Sequence, residues 1–185
     1  VLNMAFDPIW ESIFSSREWG KYPNENIVRF ISKSFIKQNR SEIKILDLGC
    51  GTGANMWFLT KEGFQSYGID GSATAVRKCR EILDKEIPHW KGEVLVADMM
   101  NLPFQDSQFD AVIDCASLYC NNLTDTKKIM NELYRVTKNS ALFLSITFAK
   151  GCVGDETGEK IDHNYFIPAT GPFVGSSPAR FTEFS

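Results

Sequence analysis

Ile45-Leu46-Asp47-Leu48-Gly49-Cys50-Gly51-Thr52-Gly53-Ala54 is the stretch whose reading decides the fold. The apolar run that opens at Ile43 predicts a strand through Leu48, central in its sheet. Gly49–Gly53 predicts a tight turn. Ala54 to Glu62 predicts a helix stopped by Gly63, a residue type that favours the left-handed position after a helix. A strand that runs through glycines into a helix brings backbone N–H groups and a helix N-terminus close to whatever lies above the strand end. In open parallel sheets that place, outside the carboxyl ends of the strands, is where ligands lie.

Outward from this unit, the chain alternates. On the N-terminal side, Ile27, Phe30, Ile31 and Phe35 recur at helical spacing, which predicts an amphipathic helix over 24–38. Residues 1–23 carry Phe6, Trp10, Phe14, Trp19 and Tyr22 with no regular pattern beyond a short helical turn or two. On the C-terminal side, strands are predicted over 65–70, 93–97, 109–115 and 141–148. Ser72 is placed to cap a helix whose inward face is Val76, Cys79 and Leu83. Thr124 or Asp125 starts another, with Ile129, Met130, Leu133 and Val136 inward. Short apolar strands joined by helices predict an α/β fold: a doubly wound, Rossmann-like, mainly parallel sheet with helices on both faces. Residues 1–40 read as a helical cap or lid, 41–150 as the core, and 151–185, rich in Gly, Pro, Thr and Ser, as loop.

Composition narrows the function classes. The 185 residues are 43% hydrophobic and 23% charged with net charge −3, which suits one soluble domain and provides no basic field for nucleic acid or anionic lipid. No apolar run approaches the ~18 residues of a membrane span, and the N-terminus is not that of a secretion signal. A cytoplasmic location is expected. Cys50, Cys79, Cys115, Cys120 and Cys152 are odd in number and lack C-x-x-C spacing, so neither a disulfide framework nor a metal site is expected. The abrupt end at Phe184-Ser185 reads as that of a fragment.

The turn by itself leaves the ligand open. Gly49, Gly51 and Ala54 fit the dinucleotide pattern G-x-G-x-x-G/A, Gly49, Gly51 and Gly53 fit the G-x-G-x-G of nucleoside-bearing methyl donors, and a tight turn with no ligand is the third reading. Three acids sharpen the choice. Asp70 closes the second strand about 20 residues on, where a carboxylate accepts ribose hydroxyls. Asp98 closes the third, where a carboxylate accepts from an adenine amino group. Asp47 stands beside the turn. Each alone is explained as a turn or cap residue; their joint placement at the ends of adjacent strands is not.

ILDLGCGTG (45–53), GID (68–70), VADMMNLPF (96–104), FDAVID (109–114) and ELYRVTKNSALFLS (132–145) occur in this order. On these segments the chain resembles the class I S-adenosylmethionine-dependent methyltransferases. WGKYPNENIVRFI (19–31), YGIDGSATAV (67–76) and GPFVG (171–175) further resemble a bacterial branch acting on small molecules, often in sugar or surface-polysaccharide settings. The resemblance implies strand order 3-2-1-4-5, S-adenosylmethionine as cofactor and S-adenosylhomocysteine as product. It also implies a cofactor site made of Asp47, Gly49, Cys50, Gly51, Gly53, Asp70, Gly71, Ser72, Asp98, Met99, Asp114 and Cys115, with Ala116 at the sulfonium end and Trp19 and Tyr22 as a lid. The family's Pro-Gly-Gly before strand five is replaced by Lys138-Asn139-Ser140, where Asn139 is expected to keep the left-handed turn. The family's C-terminal strand pair is missing, which predicts an exposed strand-five edge, with homodimer pairing as one way to cover it.

Methyl transfer from a sulfonium is an in-line displacement, and the protein must align the reactants, exclude water and, for an oxygen acceptor, remove a proton. Candidate catalytic residues are His163, in the loop after strand five, and Tyr119, just after strand four. Their bland readings are a surface histidine and a core ring. The expected reaction is methylation of an oxygen or nitrogen atom of a small molecule. A nicotinamide-dependent dehydrogenase and a non-catalytic binding protein are the alternatives; Asp98 has no rationale in the first.

Overall fold

The computed structural model describes residues 5–183. Its centre is a five-stranded parallel sheet of β1 (Lys44–Leu48), β2 (Gln65–Asp70), β3 (Gly92–Val96), β4 (Phe109–Cys115) and β5 (Thr137–Ile146), in the order β3-β2-β1-β4-β5. The period-2 alternation of strand side chains gives the sheet two buried faces. Ile45, Ala111 and Ile113 pack under α2 (Glu25–Ser34) and α3 (Ala54–Lys61). Leu46, Leu48 and Val112 pack under α5 (Leu123–Val136). Cys50, Met56 and Val94 pack against Val76, Cys79 and Leu83 of α4 (Ala73–Glu86).

The helix starts follow their capping residues. Asn24, Ser72 and Asn122 each accept a backbone N–H of the following first turn, from Asn26, Ala75 and Asp125. Gly63 takes φ +88° just after α3, as its residue type required. Met130 turns outward, 40% exposed, because Ile129 already occupies the inward direction and adjacent helical residues diverge by 100°. Ahead of the core, α1 (Ile9–Ser16) is a two-turn helix that packs on α4.

Two expectations about the C-terminal half are corrected. Strand five begins at Thr137, directly after α5, instead of at residue 141. Lys138, Asn139 and Ser140 are absorbed as an irregularity between the Phe109–Thr137 and Ala111–Leu142 pairs, and the left-handed residue is Ser140 (φ +68°), not Asn139. The segment after residue 150 is not all loop. β6 (Glu159–Asp162), β7 (Tyr165–Ile167) and β8 (Ala179–Arg180) form an antiparallel sheet in that order. Phe166, Phe173, Ala179 and Phe181 from this tail form a buried cluster with Tyr119. The tail is attached where the chain leaves β5, through Thr182 N–H to Phe148 O (2.8 Å) and Lys150 N–H to Thr182 O (3.0 Å). It does not reach the edge of β5, where Leu142 and Phe143 are 38% and 42% exposed.

Candidate active site

A cavity of about 550 Å³ opens at the carboxyl ends of the parallel strands. This volume suits a cofactor-sized ligand. Its floor is the glycine turn, where Gly49, Gly51 and Gly53 all take positive φ. At Gly49 a Cβ would collide with Ser117, which crosses from the end of β4. Gly53 does not face the cavity; a Cβ there would stand 2.5 Å from Cys79 Sγ, so this glycine serves the packing of α3 on α4.

Asp70 lines the cavity and shapes its floor. Its Oδ2 accepts from Gly51 N–H (2.9 Å) and its Oδ1 from Ser72 N–H (2.8 Å). Burial pushes its carboxyl above the usual range, against the pull of those two backbone bonds. Asp98 also lines the cavity, with Oδ1 accepting from Met100 N–H (2.9 Å) and Ala5 N–H (3.2 Å). The loop after Asp98 is held by Arg135, whose guanidinium donates to the carbonyls of Leu102 and Phe104 and pairs with Glu132 and Asp106.

Asp47 and Asp114 lie behind the wall, both fully buried. Asp114 is satisfied: Oδ1 takes Ser117 N–H (3.0 Å) and Leu118 N–H (3.1 Å), and Oδ2 takes the Ser145 hydroxyl. This pins the turn after β4, in which Ala116 takes φ +58°. Asp47 is not satisfied. Oδ1 has only Asn55 Nδ2 at 3.3 Å, and Oδ2 has no partner. Burial, with Asp114 and Asp70 nearby, pushes its carboxyl up to about 7 despite the Asn55 bond.

Of the residues expected at the site, Gly49, Cys50, Gly51, Asp70, Gly71, Asp98, Met99, Cys115, Ala116, Trp19, Tyr22 and Tyr119 line this one cavity, and Asp47, Gly53, Ser72 and Asp114 support it from behind. His163 is not brought there. It forms the two-residue turn between β6 and β7 with Asn164 and borders a separate depression with Leu123 and Arg180. The hairpin, unforeseen in the sequence, carries it away. Sequence reading missed Ala5, Phe6, Trp10, Phe148 and Phe173, which also line the cavity. Phe6 and Trp10 were signalled by the aromatic richness of the N-terminal end and Phe173 by GPFVG (171–175), while Ala5 and Phe148 carried no signal.

The methyltransferase-domain family matches residues 45–140, more than half of the chain. The chain belongs to that family, whose methyl donor is S-adenosylmethionine. It is 31% identical to the demethylmenaquinone methyltransferase of Thermotoga maritima over 71% of this chain and 54% of that one. It is 26% identical to the tocopherol O-methyltransferase of Arabidopsis thaliana over 67% of this chain and 35% of that one. A methyltransferase structure from Methanosarcina mazei shares the fold, with TM-score 0.65 over 87% of this chain and 79% of that one at 22% identity. The chain spans about half or less of the length of the curated relatives it matches first. Family membership selects the methyl-donor reading of the glycine turn over the dinucleotide one.

Asp70→Ala is expected to weaken binding of S-adenosylhomocysteine by ~1–3 kcal/mol, the worth of hydrogen bonds to a charged group. Titration calorimetry checks this, and an unchanged affinity removes Asp70 from the ligand contacts.

Proposed function

We propose that this chain forms the catalytic domain of an S-adenosylmethionine-dependent methyltransferase acting on an oxygen or nitrogen atom of a small, ring-bearing, largely apolar molecule. The observation that carries this reading is the sharing of one cavity by the glycine turn, Asp70 and Asp98 at one end and by Tyr119, Phe148 and Phe173 at the other. The residues present fit the cofactor: Asp70 and Asp98 line the cavity with carboxylates, and the partnerless oxygen of Asp47 stands behind its wall as an uncompensated buried acceptor that attracts a cation. Asp70 would hold the ribose and Asp98 the adenine, while Asp47, from behind the wall, would draw the amino group by its charge. When bound, the cofactor supplies a methyl group activated by a sulfonium.

The chain's own residues then orient and dry the acceptor. The Tyr119, Phe148 and Phe173 rings meet one another at 4.6–5.7 Å between centroids, edge-on or tilted, and offer apolar surface to a planar molecule. Burial pushes the Tyr119 hydroxyl far up and the Cys115 and Cys120 thiols up to about 11, so all three keep their protons at neutral pH. An acceptor whose nucleophile already carries a free electron pair near neutral pH, such as an aromatic amine or an acidic phenol, is served best. The names of the relatives, quinone and tocopherol methyltransferases, favour such rings over the sugars expected from the branch resemblance.

Calorimetry with S-adenosylhomocysteine and with NAD, followed by a labelled-methyl assay over phenols, amines and sugars, tests the proposal. Binding of NAD alone, or methylation of sugars alone, would overturn it. Tyr119→Phe is expected to leave kcat nearly unchanged, since a true general base is worth ~10²–10⁴-fold; a loss of that size would make Tyr119 the base.

A further inference from the structure

We propose that the N-terminal strap Ala5–Asp7 is the outer wall of the nucleoside end of the cavity, with Phe6 packing on the bound base and Glu11 as the latch that positions it. The inference deepens the cofactor reading and rests on it.

Gly71 follows Asp70 at the end of β2 and has no side chain to offer a ligand. A Cβ at that position would stand 2.1 Å from Cδ2 of Phe6, so Phe6 fills the space a side chain on residue 71 would take. The strap reaches the opposite side of the same end through Ala5 N–H to Asp98 Oδ1. It therefore spans from the Asp70–Gly71 corner to Asp98, the two places where ribose and adenine are assigned. With the strap in place the cavity keeps its volume of about 550 Å³, and Ala5 and Phe6 are part of its lining. The strap thus bounds the space without filling it. An aromatic ring on a nucleobase is a favourable contact for any base, because every base has a π-face.

The strap is held from α1. Asp7 Oδ1 accepts from Ile9 N–H (3.0 Å), tying the strap to the helix start. The first turn of α1 carries Glu11 to the N-terminus of α4, where its carboxylate accepts from the Ser72 and Thr74 hydroxyls and from Thr74 N–H (3.3 Å). A carboxylate at a helix N-terminus is also favoured by the helix dipole. Lys78 Nζ donates to Phe14 O (2.8 Å) at the other end of α1. Lifting the strap together with the start of α1 to exchange ligand means breaking the Glu11 contacts, so Glu11 acts on the ligand through Phe6.

The test is stopped-flow and equilibrium binding of S-adenosylhomocysteine and of adenosine to wild type, Phe6→Ala, Phe6→Tyr and Glu11→Ala, with the melting temperature of each ligand-free protein. Phe6→Ala is expected to raise Kd roughly tenfold for both ligands, chiefly through faster dissociation, and Phe6→Tyr to restore it. Glu11→Ala is expected to speed both association and dissociation. A Phe6→Ala protein that binds as wild type does overturns the strap's role and leaves the cofactor reading standing. Tighter binding by Phe6→Ala would make the strap a competitor for the site, which also overturns it. A folded wild type that binds neither ligand overturns the cofactor reading and this inference together.

Discussion

S-adenosylhomocysteine is expected to bind this protein about tenfold more weakly for each pH unit below 7, with affinity level above pH 8, and Asp47→Asn is expected to abolish the slope. The cause is the carboxyl of Asp47, buried with one oxygen unpartnered and held at about 7. An isolated buried charge is costly, so the ligand-free protein near neutral pH divides between the protonated and ionised forms. An ammonium bound in the cavity in front of Asp47 is stabilised only by the ionised form. Binding then releases a proton wherever Asp47 is protonated, which gives the tenfold-per-unit limit. Calorimetry in buffers of different ionisation enthalpy reads that proton directly. A flat affinity between pH 5.5 and 8, or the same slope in Asp47→Asn, would take Asp47 out of the ligand's reach.

The same group gives the ligand-free protein an opposite trend. The folded state holds a proton on Asp47 up to about pH 7, whereas the unfolded chain loses it near the ordinary value of 3.8. Between these limits the folded state binds more protons. The contribution of Asp47 is therefore fully present below about pH 4, and it declines as pH rises to 7. The melting temperature of the ligand-free protein should carry a downward contribution over that window, while the rise in melting temperature on adding ligand should grow.

The αβ core was legible because its signals are local. β4 and the end of β2 fall where the apolar runs end, and Ser72 caps α4 because its hydroxyl reaches Ala75 N–H within one turn. Asp70 and Asp98 were legible for the same reason: a strand end is a local feature, and parallel order brings neighbouring ends together. The strap and the tail depend on distant partners instead. Phe6 is one of five aromatics in a stretch read as having no regular pattern, and its place on Gly71 follows from the Glu11 contacts over 60 residues away in sequence. β6, β7 and β8 are 4, 3 and 2 residues long, too short for an alternation to be read. The position of His163 was lost with them, since its hairpin turn follows from that pairing. Lys138-Asn139-Ser140 misled because a polar tripeptide reads as a turn, while strand pairing with β4 draws it into β5.

Phe181→Ala is expected to free the tail while leaving the parallel sheet folded. Phe181 is fully buried, with Phe173 at 5.5 Å and Phe166 at 6.3 Å between ring centroids. Its N–H donates to Asn164 O (2.8 Å), and the next residue makes the two bonds that tie the tail to Phe148 and Lys150. Removing a buried phenyl ring costs ~3–5 kcal/mol through lost transfer energy and the void left behind. Of the nine strand residues of β6, β7 and β8, only Tyr165, Phe166 and Ala179 are buried, so the loss should appear as local opening of this unit. Amides of Tyr165–Ile167 should then exchange faster by orders of magnitude, while those of β1 and β4 keep their protection. Phe173 would leave the wall it shares with Tyr119 and Phe148, so the acceptor KM should rise more than the Kd of S-adenosylhomocysteine, whose assigned contacts lie at the parallel sheet and on the N-terminal strap. Equal deprotection of β1 and β4 would show that the tail and the core unfold as one unit. A loss confined to S-adenosylhomocysteine affinity would show that the tail walls the cofactor end and not the acceptor end.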